Sequence, residues 1–579
     1  MLRRSTFLVV AALCAACGGG STPSSTSAPA KPDVPWFEER AAASGIDFVH
    51  FNGMSGEYYY PEIMAPGVGL FDYDNDGDLD LYLVQSQMLG KGKTIKDALF
   101  PPKGPLKDRL YRNDLSVGAD GARTLHFTDV TDQAGIDIQT YGMGVAAGDI
   151  DNDGFVDLYR TGLTEGVLLH NNGNGTFSDI TAKSGTVNKG GWGVSASFVD
   201  IDRDGWLDLF VGNYLLYNLD GDIDCLAVTG QHDYCPPNSY RPQPSKLFRN
   251  RGNGTFVDVT REALEGGAYG PALGVSTADF NNDGWLDIYV GNDGMPNQLW
   301  MNQKNGRFKD MAFLNGAAVN GQGNSEASMG IDAGDFDNDG DEDLFITNWL
   351  AQMNILYLNT GGGIFEDRKA ASGLGAPSLA KTGFGTAWFD YDNDSWLDLI
   401  TLNGSVSMIE AQARAKDPFP LKMLNQLYRN LGDGRFEDVS ARGGEPFKLL
   451  DVSRGAAFGD VDNDGDEDIV VGTASGPTRL FVNNVGNKNH WLGLRLTGVG
   501  GRDMLGARVS VLRGNGPTLW RRSRSDGSYA SANDPRVLVG LDASTAPVTV
   551  RVQWPDGKTE EWANQSIDRW TTLKQGSGK

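Results

Sequence analysis

Histidine is scarce in this sequence, five in 579 residues, and cysteine scarcer, with four. There is no H-E-x-x-H pair, no G-x-S-x-G elbow and no glycine-rich loop opening a helix, so the local signatures of zinc peptidases, serine hydrolases and phosphate-binding folds are missing. Positive charge is also short: 50 Lys and Arg face 75 Asp and Glu, a formal charge of −25 that argues against a nucleic acid partner. A long apolar run occurs only at the start, in MLRRSTFLVVAALCAAC, and it is too short for a lasting transmembrane helix. Two arginines, an apolar stretch and small residues before Cys17 make it a signal peptide, residues 1–16.

Ala15-Ala16-Cys17 resembles a bacterial lipobox, which implies a lipidated Cys17 as mature N-terminus; ordinary cleavage leaving a free cysteine is the alternative. Residues 17–35, including GGGSTPSSTSAPAKPDVP, have the composition of a flexible tether. With Cys14 in the leader and Cys17 on lipid, Cys225 and Cys235 remain, ten apart. In an exported chain they are expected to form a disulfide, with a metal site shared with His232 the lesser alternative.

What is abundant is aspartate at fixed spacing. FDYDNDGDLDLYL, Phe71 to Leu83, has five aspartates in nine positions, and like charges this close repel unless a cation neutralises them. Asp72, Asp74, Asp76 and Asp80 stand at positions 1, 3, 5 and 9, with Gly77 at 6, the order in which a calcium loop supplies hard oxygens around a sharp turn. The pattern returns as Asp149, Asp151, Asp153, Asp157; Asp200, Asp202, Asp204, Asp208; and Asp279, Asn281, Asp283, Asp287. It continues as Asp335, Asp337, Asp339, Asp343; Asp390, Asp392, Asp394, Asp398; and Asp460, Asp462, Asp464, Asp468. About seven Ca²⁺ ions are therefore expected. In the sixth copy Ser395 replaces glycine, so that site is expected to be strained or weak. Losing Arg3 and Arg4 takes the charge from −25 to −27, and seven calcium ions would bring it to −13.

Each acidic loop sits between two short strands such as GVGLFDYD and LDLYLV, so it closes a hairpin. A third strand (LYRN, LLHN, LFRN, LWMN, LYLN, LYRN, LFVN), a Gly/Asn turn and a fourth strand such as FVDVT complete a unit. Units repeating every 51 to 79 residues predict an all-β fold, a seven-bladed β-propeller over residues 36–485. The last unit lacks a fourth strand, and Trp36-Phe37-Glu38-Glu39 is expected to supply it and close the ring. Strand parity then puts the acidic loops on one face and the long insertions, roughly 85–109, 214–245 and 401–425, on the other, where function is expected.

The repeats resemble FG-GAP and VCBS repeats, and the tail, NHWLGLRLTGVGGRDMLGARVSVL with RVQWPDGKTEEW, resembles the ASPIC/UnbV domain, here residues 486–579, a small β domain. In order and combination they resemble bacterial relatives of cartilage acidic protein 1. The resemblance implies an exported calcium-binding propeller, and the lipobox at Cys17 adds the expectation of lipid anchoring at the outer membrane or cell surface, with membrane touched through the anchor alone. It is expected to act as a scaffold binding a protein or glycan on the face opposite the calcium loops. The alternative is an enzyme, biosynthetic in kind, with a central pocket on that face. Its candidate residues lie in FVHFNGMSGEYYYPE and DVSRGAAFGDVD: His50 and Glu62 for proton transfer, Arg454 as anchor. The structural reading of these three is a ring closure locked by hydrogen bonds and an Arg454–Glu62 ion pair.

Overall fold

A computed structural model describes residues 34–227, 230–514 and 516–579. The leader, the lipid site at Cys17 and nearly all of the tether lie outside the described residues. Among those described, each sequence repeat forms a four-stranded antiparallel sheet, seven in all, with an acidic loop at one end of each. In the second, Gly142–Gly148 runs into the loop, Asp157–Gly162 leaves it, and Val167–Asn171 and Phe177–Asp179 follow, paired in that order. The position-9 aspartate opens each second strand, so the loop ends where the pairing begins.

The seventh sheet is completed from the chain's beginning: Phe37–Glu39 pairs with Arg479–Asn483, Phe37 opposite Asn483. The first strands lie side by side in succession, and the last, Ser453–Gly459, contacts the first, Val68–Phe71. Apolar residues of adjacent sheets meet between them. Phe280, Tyr289 and Leu299 of the fourth pack with Ile331, Leu344 and Phe365 of the fifth, all buried. Each large side chain so buried contributes about 1.5–3 kcal/mol.

Residues from His490 onward form two further sheets: Val537–Asp542, His490–Thr497 and Trp570–Lys574 in one, and Leu519–Arg522, Arg508–Leu512, Val548–Gln553 and Thr559–Gln565 in the other. They close on their own core of Leu494, Val509, Val550 and Trp554. From this small β unit a buried segment, Ser525 to Asp534, enters the space the first strands surround and bonds to all seven sheets. Leu70 N–H donates to Ala532 O at 2.9 Å, Val145 N–H to Ala530 O at 3.0 Å and Ile331 N–H to Ser528 O at 2.9 Å. Ala530 N–H donates to Ser195 Oγ, Thr277 N–H to Asp526, Thr386 N–H to Ser528 Oγ and Phe458 N–H to Asn533. Inner strands would otherwise leave an open row of amides, and this segment satisfies them.

Candidate functional site

All seven acidic loops share one geometry. The position-1 carboxylate accepts the backbone N–H of position 6, as in Gly154 to Asp149 at 2.8 Å and Gly465 to Asp460 at 2.9 Å. The position-9 carboxylate is fully buried and accepts the N–H of the asparagine ending the third strand, for example Asn359 to Asp343 at 2.8 Å. Its second oxygen takes the position-2 N–H, as in Ile150 to Asp157 at 2.9 Å; in the sixth loop that oxygen, Asp398 Oδ2, has no partner. Position 4 adopts a left-handed conformation throughout, φ from 53° at Asn393 to 62° at Asn75, which asparagine tolerates well. Six loops have asparagine there, and Arg203 fills the place in the third.

The loops are chained to one another. Position-4 side chains donate to the next loop: Asn75 to Gly154 O at 2.8 Å, Asn152 to Gly205 O at 3.0 Å, Arg203 to Gly284 O, Asn282 to Gly340 O and Asn338 to Ser395 O at 3.4 Å. Asn393 donates to Gly465 O at 2.8 Å, and Asn463 returns to Asp78 of the first loop at 2.6 Å. The third-strand asparagines reach the opposite way, Asn171 to Tyr73 O and Asn113 to Val461 O. The sequence reading passed over these asparagines, although one ends all seven third strands and another holds six of seven position-4 places.

The donor sets fit a hard cation. Carboxylate oxygens of Asp72, Asp74 and Asp80 lie within 4.8 Å of one another, as do those of Asp149, Asp151 and Asp157, and of Asp200, Asp202 and Asp208. One oxygen each of Asp72, Asp74, Asp151, Asp200, Asp202, Asp392 and Asp462 is buried with no hydrogen-bond partner. Burial, reinforced by the like charges beside them, raises Asp72 to about 6, Asp149 to about 7, and Asp335 and Asp460 to about 8. Orphaned oxygens and protonation-prone carboxyls in one loop are what a divalent ion relieves. In the sixth loop Ser395 has φ 81°, its N–H on Asp390 at 2.8 Å and its Oγ on Gly540 O at 3.0 Å.

The C-terminal unit covers this face and meets every loop. Arg495 pairs with Asp72, Gly500 abuts Asn152 and Gly154, Arg502 donates to Gly205 O, and Arg508 bridges Asn282 and Gly340 O. Arg521 reaches Asn338, Arg513 donates to Ser395 Oγ at 3.1 Å, and Trp570 Nε1 donates to Asp460 at 3.1 Å.

The opposite face carries the insertions. Cys225 and Cys235 are joined in a disulfide. The middle insertion, with Val406 and Ser407 of the third, encloses a cavity of about 460 Å³, and a second of similar volume lies beside Glu62 and Phe419. The three sequence candidates lie near this face and do not form one cluster. His50 is buried, accepts Ser475 N–H on Nδ1 and bonds Ser86 Oγ through Nε2 at 3.1 Å; burial, then the Arg454 charge, push it down to about 3. Arg454, also buried, donates to the carbonyls of Ile63, Ser453, Gly404 and Ser405 and lies 4.0 Å over the Phe384 ring; burial lowers it to about 9. Among the described residues no ion pair joins it to Glu62, so the expected lock is made by carbonyls instead. Glu62 takes the Tyr234 hydroxyl at 3.0 Å, its other oxygen has no partner, and burial raises it to about 8. Of the three, only Glu62 lines either of these cavities.

Propeller-like sheets, each with the aspartate loop, define an FG-GAP repeat protein: the chain belongs to the FG-GAP-like repeat family, matching over residues 162–211, 217–290, 279–346, 335–401 and 420–490, and it carries an ASPIC and UnbV domain over 498–579. It is 25% identical over 514 residues to cartilage acidic protein 1 of Mus musculus, covering 86% of this chain and 71% of that protein. The Homo sapiens protein is likewise 25% identical, covering 86% and 70%. A solved Agrocybe aegerita lectin, described as recognising non-reducing terminal N-acetylglucosamine, has a TM-score of 0.36 at 16% identity, covering 66% of this chain and 90% of the lectin.

Proposed function

We propose that the chain is an exported seven-bladed propeller of residues 36–485, loaded with about seven calcium ions, that binds a protein or glycan on the face opposite its acidic loops. In each loop positions 1, 3, 5 and 9 would hold the ion, which supplies the positive charge the clustered carboxylates lack. The observation that carries this reading is the division of faces: the 486–579 domain sits over all seven loops, while the insertions leave two cavities on the other side. Extracellular calcium modules bind at roughly 10⁻⁴ to 10⁻³ M, a range filled outside the cytoplasm. A disulfide suits the same compartment, and lipid attachment at Cys17 would hold the protein at the outer membrane or cell surface. No helix among the described residues is long and apolar enough to cross a membrane. The enzyme reading retains Glu62 as its one candidate with a free oxygen.

Elemental analysis of the mature protein, purified without added metal or chelator, tests this reading. Six or seven calcium ions per chain and no stoichiometric transition metal are expected. Fewer than about three, in buffer with millimolar calcium, would overturn the calcium assignment.

A further inference from the structure

The cavity of the insertion face that Asp293 lines has a one-sided chemistry. Its wall includes Tyr60, Tyr234, Tyr240, Trp349 and Phe384, and its one ionisable carboxyl is Asp293. No lysine, arginine or histidine is among the described residues that line it. The phenols in and behind the wall end on acidic groups: Tyr214, behind it, donates to Asp293 at 2.5 Å, Tyr234 to Glu62 at 3.0 Å and Tyr240 to Asp222 at 3.0 Å, while Tyr60 bonds Tyr214 at 2.7 Å. A phenol that donates to a carboxylate carries more electron density on its ring, and that density attracts a cation.

Other ligand classes fit poorly. An anion would meet Asp293 with nothing to pair it. A purely apolar ligand would desolvate a carboxylate whose charge is met only by the Tyr214 hydroxyl, at a cost of kcal/mol order. An alkylated ammonium group satisfies both wall and carboxylate, because its charge is spread over methyl groups that lie against rings.

We propose that this cavity binds a small organic cation bearing a quaternary or tertiary ammonium group, held by Asp293 among the rings of Tyr240, Tyr234 and Trp349. The inference rests on the reading that the insertion face receives the ligand, and it names that ligand's charged part. The titratable groups that face Asp293 are the phenols of Tyr214, Tyr60 and Tyr529. Arg454, behind the wall, lies over the Phe384 ring and is tied to carbonyl oxygens. Burial raises Asp293 to about 7, so a bound cation favours its ionised form.

The test is calorimetric titration of the calcium-loaded mature chain with choline and with benzyltrimethylammonium, each at pH 6 and pH 8. Choline's neutral tert-butyl analogue, 3,3-dimethylbutan-1-ol, is the control. Both cations should bind, the neutral analogue at least tenfold more weakly, and affinity should rise about tenfold between the two pH values as Asp293 ionises. Asp293→Asn should remove most of the binding and most of the pH dependence, leaving only what Glu62 contributes through the Tyr234 hydroxyl it accepts. If that variant loses its calcium content, Trp349→Ala serves in its place: Trp349 is 41% exposed, and its loss should weaken binding severalfold with the pH dependence kept. Equal binding of the neutral analogue, a flat pH profile, or no binding of either cation at millimolar concentration would overturn the inference. A glycan or peptide that binds in the insertion face of the Asp293→Asn variant as well as of the parent would refute the cation while sparing the face; a ligand protecting the acidic-loop side from hydrogen exchange would refute the face itself.

Discussion

Asn359 ends a third strand with its side chain fully buried, donating to Phe280 O of the preceding repeat at 2.8 Å and to Glu342 O at 3.2 Å. Replacing it with alanine leaves two buried carbonyls without that donor, which costs about 1–3 kcal/mol. Asn359→Ala should therefore lower the urea midpoint in saturating calcium by a corresponding amount with the slope unchanged; an unaltered midpoint would remove these asparagines from the account of how repeats are joined. Ser395 poses a sharper case, because its left-handed backbone costs a serine about 1–2 kcal/mol relative to glycine. Its hydroxyl offsets part of that by bonding Gly540 O and Arg513. Ser395→Ala keeps the strain and drops both bonds, whereas Ser395→Gly drops both bonds and the strain together. The expected order of melting temperature is wild type near Ser395→Gly, with Ser395→Ala lowest, measured by calorimetry in calcium.

The loops, alike in backbone, differ in the residue before the third-strand asparagine. Arg249 pairs with Asp202 at 3.1 Å, Arg429 with Asp394 at 3.0 Å, and His170 bonds Asp157 at 2.9 Å, each placing a cation or proton carrier where calcium is proposed. In the fourth, fifth and seventh loops the same place is Met301, Leu358 and Val482. A partly exposed ion pair is worth about 0.2–1 kcal/mol, so removing the competitor should tighten one site by up to about fivefold. Arg429→Met is expected to shift one calcium of the titration to higher affinity and leave the others in place, read by competition with a chromophoric chelator. Much of this element-level plan is legible in the chain. Seven aspartate strings mark the hairpins, and alternating apolar residues mark strands on either side. The segment Ser525 to Asp534 is not legible: SDGSYASAND has neither apolar period nor strand run, because it pairs with seven strands a residue or two at a time. Nor does spacing tell that His50 and Arg454 are consumed by backbone partners, since loop carbonyls leave no mark in sequence.

For the molecule as a whole, the small C-terminal unit acts as axle and cover at once, with Ser525–Asp534 among the inner strands and its arginines over the acidic loops. Arg495, Arg502, Arg508, Arg513 and Arg521 all touch loop residues, so part of the negative field of the ring is answered by the chain itself. The rest falls to calcium, and that division sets how stability depends on pH. Without calcium the folded carboxyls hold protons up to about 6 at Asp72 and Asp200, about 7 at Asp149 and about 8 at Asp335 and Asp460, because burial disfavours their charge. Unfolded aspartates release theirs near 4, roughly. Between those limits the folded state binds more protons than the unfolded one, so stability falls as pH rises. In excess chelator the melting temperature should drop steadily from pH 5 to pH 8. In millimolar calcium the ion takes the protons' place, and the order should invert, with stability lost as pH falls and protons displace the metal. The check is a set of calorimetric scans across that range with and without calcium. Parallel pH profiles in the two conditions would mean that the aspartate loops, for all their spacing, hold no ion whose loss the fold can feel.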